Sequence, residues 1–508
     1  MSISIAKENT RLTEELPSLI HRGSIPRSLI DMPGFKFLVA TSKDGDYQPR
    51  TLLRLSPFGL EFLVRANEAE ILEEKATCPI KIFFGGLEKP ISNLNVTITS
   101  IEPGKDLGCI VKAVFAPDGV LYKESWIKKQ KLWACNPTFT PTGTWKNPFL
   151  FNDTVFLRLT GFSNDYVEVE TSRRNTTILP GMTIAANFTF VNEDRVPISF
   201  VVEEIEEKDS ARITLRGTPE RFNKKTRFAL GNYLAEFTKH ISYEGILSEG
   251  FYVKDFVDNL SFDYTTIKDQ KTFQEIIDLR VAGYETDPSM IKDKWDYRSI
   301  FIIARWHGKA IGSLRMVYHQ DDQKFEQEEY SVRNNNYPEN PDTVEVTRIT
   351  IAKGFRNSGL IQHLITQATM HILTSGRTWL LGSSPAKSLP LYEAAGATMV
   401  DSGYTMNKHS KPVELAVIKA NTPQIILGLG VGPIFWNLAY RKSYEHLVKA
   451  NILVPSFWQK CRIKVYSALG FFAEKYKEKQ MMAYANYCRK KIQKTEAIDG
   501  GSNSAAEK

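Results

Sequence analysis

Between Arg280 and Gly359 the chain sets charged groups at short intervals inside otherwise apolar segments. They are Arg280, the pair in Asp293-Lys294-Trp295-Asp296, Arg315 closing Gly312-Ser313-Leu314-Arg315, and both ends of Glu345-Val346-Thr347-Arg348. These residue types suit one kind of chemistry. A carboxylate can take the proton that an ammonium group must lose before its nitrogen attacks a thioester, directly or through water. Arginine can hold a carboxylate as a planar two-point fork. Downstream, Lys353-Gly354-Phe355-Arg356-Asn357-Ser358-Gly359 leads into an apolar-periodic stretch, so free amides at a helix N-terminus can meet a phosphate.

Placing these groups requires alternating helices and strands, the mark of an α/β layer. Phe273, Ile276, Ile277, Val281 and Tyr284 predict a helix over 271–284. Strands are expected at 299–306 and 310–318, joined as a hairpin by His307-Gly308-Lys309, then at 343–352 and 378–382, with a helix over 360–374. On an unbroken strand Glu345 and Arg348, three apart, point to opposite faces. One of them could then sit in a structural ion pair.

The order of strand, basic turn, helix and then Leu391-Tyr392-Glu393-Ala394-Ala395-Gly396-Ala397 resembles the GNAT acyltransferase superfamily, whose turn reads Arg/Gln-x-x-Gly-x-Gly/Ala. Arg356-Asn357-Ser358-Gly359 fits the first four positions, and Ile361 stands where that family has a small residue. A donor with a single phosphate, such as a carrier-protein phosphopantetheine, needs fewer converging amides there than coenzyme A does. The stretch 280–348 is similar to acyl-homoserine-lactone synthases and related N-acyl amino acid synthases. Those enzymes carry a helix arginine, Asp-x-x-Asp, an arginine ending the second strand, and Glu-x-Ser-Arg on the next; Thr347 keeps the serine hydroxyl.

The resemblance implies transfer of a fatty acyl group from a carrier thioester to the amine of a small acceptor such as an amino acid. Glu345 would be the base, Tyr392 would return a proton to the leaving thiolate, and a backbone amide near the third strand would stabilise the oxyanion. Arg280, Asp293, Asp296, Arg315, Thr347 and Arg348 would bind the acceptor, with Arg315 and Arg348 as forks. Arg356, Asn357, Ser358 and Gly359 would hold the donor, acyl carrier protein or acyl-CoA, with no tightly bound cofactor and no metal. Two alternatives stand beside this reading: an ordinary acetyl-CoA-dependent N-acetyltransferase, and a non-catalytic signalling protein.

The N-terminal half reads as short alternating strands in two runs that rhyme. Arg54-Leu55-Ser56-Pro57-Phe58-Gly59 and Gly161-Phe162-Ser163-Asn164-Asp165-Tyr166 both resemble, in degraded form, the Asp/Asn-x-Ser-x-x-Gly turn of PilZ domains. In that family the turn and an upstream arginine arm bind cyclic di-GMP. Carried over, the candidates are Arg22, Arg27, Ser56 and Gly59. Residues 115–150 read as a helix and a linker.

A chain of 508 residues exceeds one ordinary hydrophobic core. Its net charge of +7 is concentrated: residues 441–494 hold thirteen Lys or Arg against Glu445, Glu474 and Glu478. This basic stretch, interleaved with aromatics, suits an anionic membrane surface or an acidic carrier protein, and nucleic acid less well. Residues 425–440 carry no charge but fall short of the ~20 that span a bilayer, so a buried or interfacial segment is expected. The polar, mixed-charge N-terminus and five widely spaced cysteines point to a cytoplasmic protein without disulfides, peripheral at most to the membrane's inner face. The expected architecture is multidomain. Two small β-barrel domains (28–130 and 150–245) precede an α/β acyltransferase domain (258–410), a basic helical extension (411–494) and a disordered tail (495–508).

Overall fold

The computed structural model describes residues 25, 27–32, 35–40, 46–69, 72, 77–83, 90, 92–104, 108–115, 132–148, 153–254, 256–284, 291–320, 323–331, 334–408 and 411–503. Two compact units divide the chain between Tyr233 and Leu234.

The first unit holds two antiparallel sheets. In the first, strands β1 (Lys36–Ala40), β2 (Tyr47–Pro49), β3 (Thr51–Leu55), β4 (Gly59–Arg65), β5 (Thr77–Phe83), β6 (Ser92–Pro103) and β7 (Gly108–Phe115) follow the order β2-β1-β5-β6-β7-β4-β3. No pairing among the described residues closes it into a barrel. The second sheet contains β8 (Trp133–Ala134), β9 (Thr142–Asn147), β10 (Asp153–Phe162), β11 (Val167–Ser172), β12 (Thr183–Phe190), β13 (Glu193–Glu207) and β14 (Arg212–Pro219). Here β10 also pairs with β11 and the sheet closes on itself. Strand β12 alternates strictly between exposed and buried residues, and its Ile184 and Phe188 are buried, as are Leu159, Val169, Phe200 and Leu215 on the other strands of the sheet.

Two expectations change in this unit. The barrel begins at Trp133, because 132–148 supplies two of its strands where a linker was expected; the helix expected before it falls on 116–131, outside the described residues. Nor do the nucleotide candidates form an open site. Ser56 is fully buried, and its Oγ accepts the N–H groups of Phe58 and Gly59 at 3.3 and 3.2 Å, building the β3–β4 turn. Arg27 donates to the carbonyls of Leu52 and Leu53 and pairs with Asp31. Arg22 lies outside the described residues.

The second unit is built on one sheet of β15 (Leu260–Thr265), β16 (Ser299–Trp306), β17 (Lys309–Tyr318), β18 (Thr343–Ile351), β19 (Trp379–Pro385), β20 (Thr398–Lys408) and β21 (Lys411–Asn421). The order is β15-β16-β17-β18-β19-β21-β20, antiparallel except between β18 and β19. The central strands are buried on both faces because a helix covers each. Helix Gln270–Tyr284 packs Phe273 and Ile276 on Phe301 and Ile303. The oppositely directed neighbours Ala304 and Gly312 are paired across β16 and β17, and a side chain at Gly312 would collide with Leu360 on helix Leu360–Thr374.

Strand β21 completes this sheet, so the domain ends at Asn421 and not at 410. Helices Pro433–Ala439, Arg441–Lys449, Phe457–Ala468 and Gly470–Asn503 follow. The last stays helical through Asn503 where the polar composition predicts disorder.

Candidate functional site

The chemistry-bearing residues gather on the face of the sheet that carries helix Gln270–Tyr284. Cross-strand register explains why. Phe301 opposes Arg315, which opposes Thr347, while Val317 opposes Glu345, and directly paired residues share a face.

Strand β18 is not regular. Between the pairs Arg315–Thr347 and Ser313–Thr350 it holds one residue more than β17, and Arg348 takes a left-handed φ of 53°. This β-bulge turns Arg348 back toward Glu326, whose N–H group donates to Glu345. The expectation that Glu345 and Arg348 diverge therefore fails, because it assumed unbroken alternation. A non-glycine residue held at positive φ also marks strain of the kind kept at functional sites.

Arg315 is fully buried and is the hub. Its Nε donates to Thr347 Oγ1 at 3.0 Å, its Nη1 to Asp293 at 2.5 Å and Asp296 at 2.9 Å, and its Nη2 to Glu326. Arg280 donates to Asp296 at 3.1 Å and to the Ile291 carbonyl at 2.9 Å. Arg348 pairs with Asp293 at 2.8 Å and Glu326 at 3.1 Å. The spacing of Asp-x-x-Asp serves a second purpose. Asp293 accepts the Trp295 N–H and Asp296 accepts the Asp293 N–H, a capping box that fixes the turn Lys294–Arg298.

The two arginines expected as open forks thus differ in availability. Arg315 is spent on its neighbours, whereas Arg348 is 13% exposed, and its Nε is buried without a hydrogen-bond partner among the described residues. Glu326 was not anticipated. One acid in a polar stretch gives no periodic signal, and only the turn that carries it shows its place.

Glu345 is wholly buried, each carboxylate oxygen accepting one backbone N–H, from Glu326 at 2.9 Å and Gln327 at 2.8 Å. Three arginines face three acids in this network, and Glu345 is a fourth acid, reached also by the charge of the partly exposed Arg298. Burial, then the Glu326 charge, push its pKa up to about 7; the two amides and Arg315 pull it back only in part. For Asp296, burial works upward, but Arg280 and Arg315 prevail and hold it below the ordinary value. For Arg315, burial opposes the charge, and the carboxylates of Glu326, Asp293 and Asp296 overcome it and raise its pKa.

Pairing between β18 and β19 stops at Val346–Gly382, although both strands run on to Ile351 and Pro385. Beyond that pair the strands present each other unladdered backbone groups, one residue from Glu345. After β18, Gly359 adopts a φ of 82° and opens helix Leu360–Thr374 with no side-chain cap, and the Gln362 N–H donates to the Gly359 carbonyl at 3.1 Å. Arg356 is exposed there. Ser358 Oγ donates to the Phe355 carbonyl at 2.6 Å, and Asn357 hydrogen-bonds Tyr484, so those two side chains shape the turn. Tyr392 is half-buried on helix Leu389–Ala394.

No protein-family model and no curated protein matches the chain. Among solved structures it is similar to a CoA-dependent acyl-homoserine lactone synthase, 12% identical over 36% of this chain and 95% of that one, TM-score 0.27. A ribosomal-protein-S18-alanine N-acetyltransferase from Escherichia coli is 9% identical over 32% and 94%, TM-score 0.25. An IAA acetyltransferase from Bacillus cereus is 11% identical over 32% of this chain and 99% of that one, TM-score 0.24.

Proposed function

We propose that the second unit transfers an acyl group from a carrier thioester to the amine of a small acceptor, with Glu345 as the base. The observation that carries this reading is the placement of a buried carboxyl, titrating near neutrality, one residue from the point where β18 and β19 part. A general base is most effective when its pKa lies near the working pH.

The acceptor's ammonium loses a proton to Glu345 through a water, since each carboxylate oxygen keeps a lone pair beyond its amide contact. The freed nitrogen attacks the thioester carbon, the C–S bond breaks, the thiolate takes a proton from Tyr392 or water, and the second proton lost by the nitrogen returns through water to that donor. The oxyanion formed in between is met by an unladdered β18 amide. Arg348, with its unpartnered Nε, holds an acceptor carboxylate, and Asp293 beside it receives the ammonium. Arg280, Asp296, Arg315 and Thr347 hold that pair in place. The donor, acyl-CoA or acyl carrier protein, sets its phosphate on the amides after Gly359, with Arg356 alongside.

The test is to supply acyl-CoA and acyl carrier protein separately with mixed amino acids and follow thiol release and amide formation. Thiol release that needs no amine would point to hydrolysis and against this reading.

A further inference from the structure

The uncharged segment and the basic segment of the C-terminus behave differently. Ile425, Ile426, Trp436 and Tyr440 are buried. The Tyr440 hydroxyl donates to the Ala395 carbonyl at 3.0 Å, and Thr366 Oγ1 donates to the Ala439 carbonyl at 2.8 Å. Most of the large apolar side chains of this segment are core, with Ile434 the exposed exception.

After it the chain presents large apolar side chains to water. Val454 and Trp458 are each 78% exposed, Phe457 71%, Val465 62%, Phe471 60% and Phe472 57%. Scattered apolar residues on a surface need no explanation, but a run of them at a helix start does. Trp458 and Val465 lie two turns apart on helix Phe457–Ala468 and share a face. Exposed Lys460 and Lys464 lie among them, and Lys475 Nζ sits 4.3 Å from the centre of the Phe471 ring. Residues 441–494, which contain this surface, hold thirteen Lys or Arg against three acids, while the rest of the chain has 52 Lys or Arg against 55 Asp or Glu.

We propose that residues 454–472 form a surface that docks on an anionic phospholipid bilayer, Phe457 and Trp458 entering the headgroup–acyl boundary. Aromatic rings favour that boundary, and lysine stems lie along apolar surface while their ammonium groups reach the phosphates. A protein partner fits less well, since lysine is depleted at protein interface cores. Among the described residues no helix is long and apolar enough to cross a membrane, so the contact is with one face of the bilayer. The proposal stands independently of the acyl-transfer reading.

The test uses the full chain with vesicles of phosphatidylcholine, with and without phosphatidylglycerol. It should sediment with the anionic vesicles at low salt and largely release at about 1 M salt, where the screening length falls to ~3 Å. Phe457→Ser with Trp458→Ser should weaken low-salt binding about tenfold or more, as expected for lost burial of two aromatic rings. Lys460→Glu with Lys464→Glu should remove the preference for phosphatidylglycerol. All four positions are exposed, so the variants should fold, and circular dichroism checks that they do. Absence of vesicle binding would overturn the proposal. So would binding that salt fully reverses and that the serine pair leaves unchanged, which is attraction without insertion. Capture of an acidic acyl carrier protein by a chain that ignores vesicles would assign the surface to that partner instead.

Discussion

Ionising Glu345 puts a negative charge into a network where Arg280, Arg315 and Arg348 are already matched by Asp293, Asp296 and Glu326. Burial first, and then the neighbouring Glu326 charge, hold its proton, and two consequences can be measured. The folded-state pKa is raised from 4.5 to about 7, so between those values the native chain keeps a proton that the unfolded chain has lost. Stability therefore falls as pH rises through this window. Glu345→Gln should flatten that part of the melting temperature's pH dependence. Turnover in the same variant should drop by ~10²–10⁴, the usual size of a general-base contribution. A second variant, Glu326→Gln, removes the neighbouring like charge and leaves Arg315 and Arg348 closer to cationic excess. The acidic limb of the pH–rate profile should then move to lower pH; a purely structural Glu326 would change stability and leave the limb where it was.

At the scale of elements, the bulge in β18 and the buried hub on β17 carry the site. Replacing Arg315 by Met leaves Asp293, Asp296 and Glu326 short of a partner, and breaking one side of a buried ion pair costs about 3–5 kcal/mol. Denaturant unfolding should show that loss in Arg315→Met. In the donor turn, Gly359→Ala places a side chain at a φ of 82°, so a penalty of ~1 kcal/mol and a raised donor KM are expected. Strands β16 to β18, the helix over 360–374 and every residue of the network except Glu326 were legible in the sequence, because apolar periodicity and short charge spacings are local signals. What those residues touch was not. The Arg348 bulge breaks the alternation rule within one strand, and Glu326 arrives from a loop, so neither the shared face nor the closure around Arg315 follows from spacing. Strand β21 was missed for a related reason: Pro412 and the charges Glu414 and Lys419 mask an edge-proximal strand whose partners, β19 and β20, lie earlier in the chain.

For the whole molecule, charge and packing divide the C-terminus into a part that belongs to the core of the second unit and a part that presents large apolar side chains outward. Deleting 422–508 should uncover the surface that Ile425, Ile426, Trp436 and Tyr440 bury, each large apolar side chain being worth about 1.5–3 kcal/mol. Lower melting temperature and aggregation of the shortened chain are the expected outcomes, whereas point changes at Phe457 and Trp458 should leave stability intact. The central claim, that this chain acylates a small amine, is tested most directly in cells that express it. Lipid extraction and mass spectrometry should reveal a new long-chain N-acyl species with the wild-type chain, absent or reduced by ~10²-fold or more with Glu345→Gln. No new N-acyl species, or equal amounts from both chains, would contradict the account.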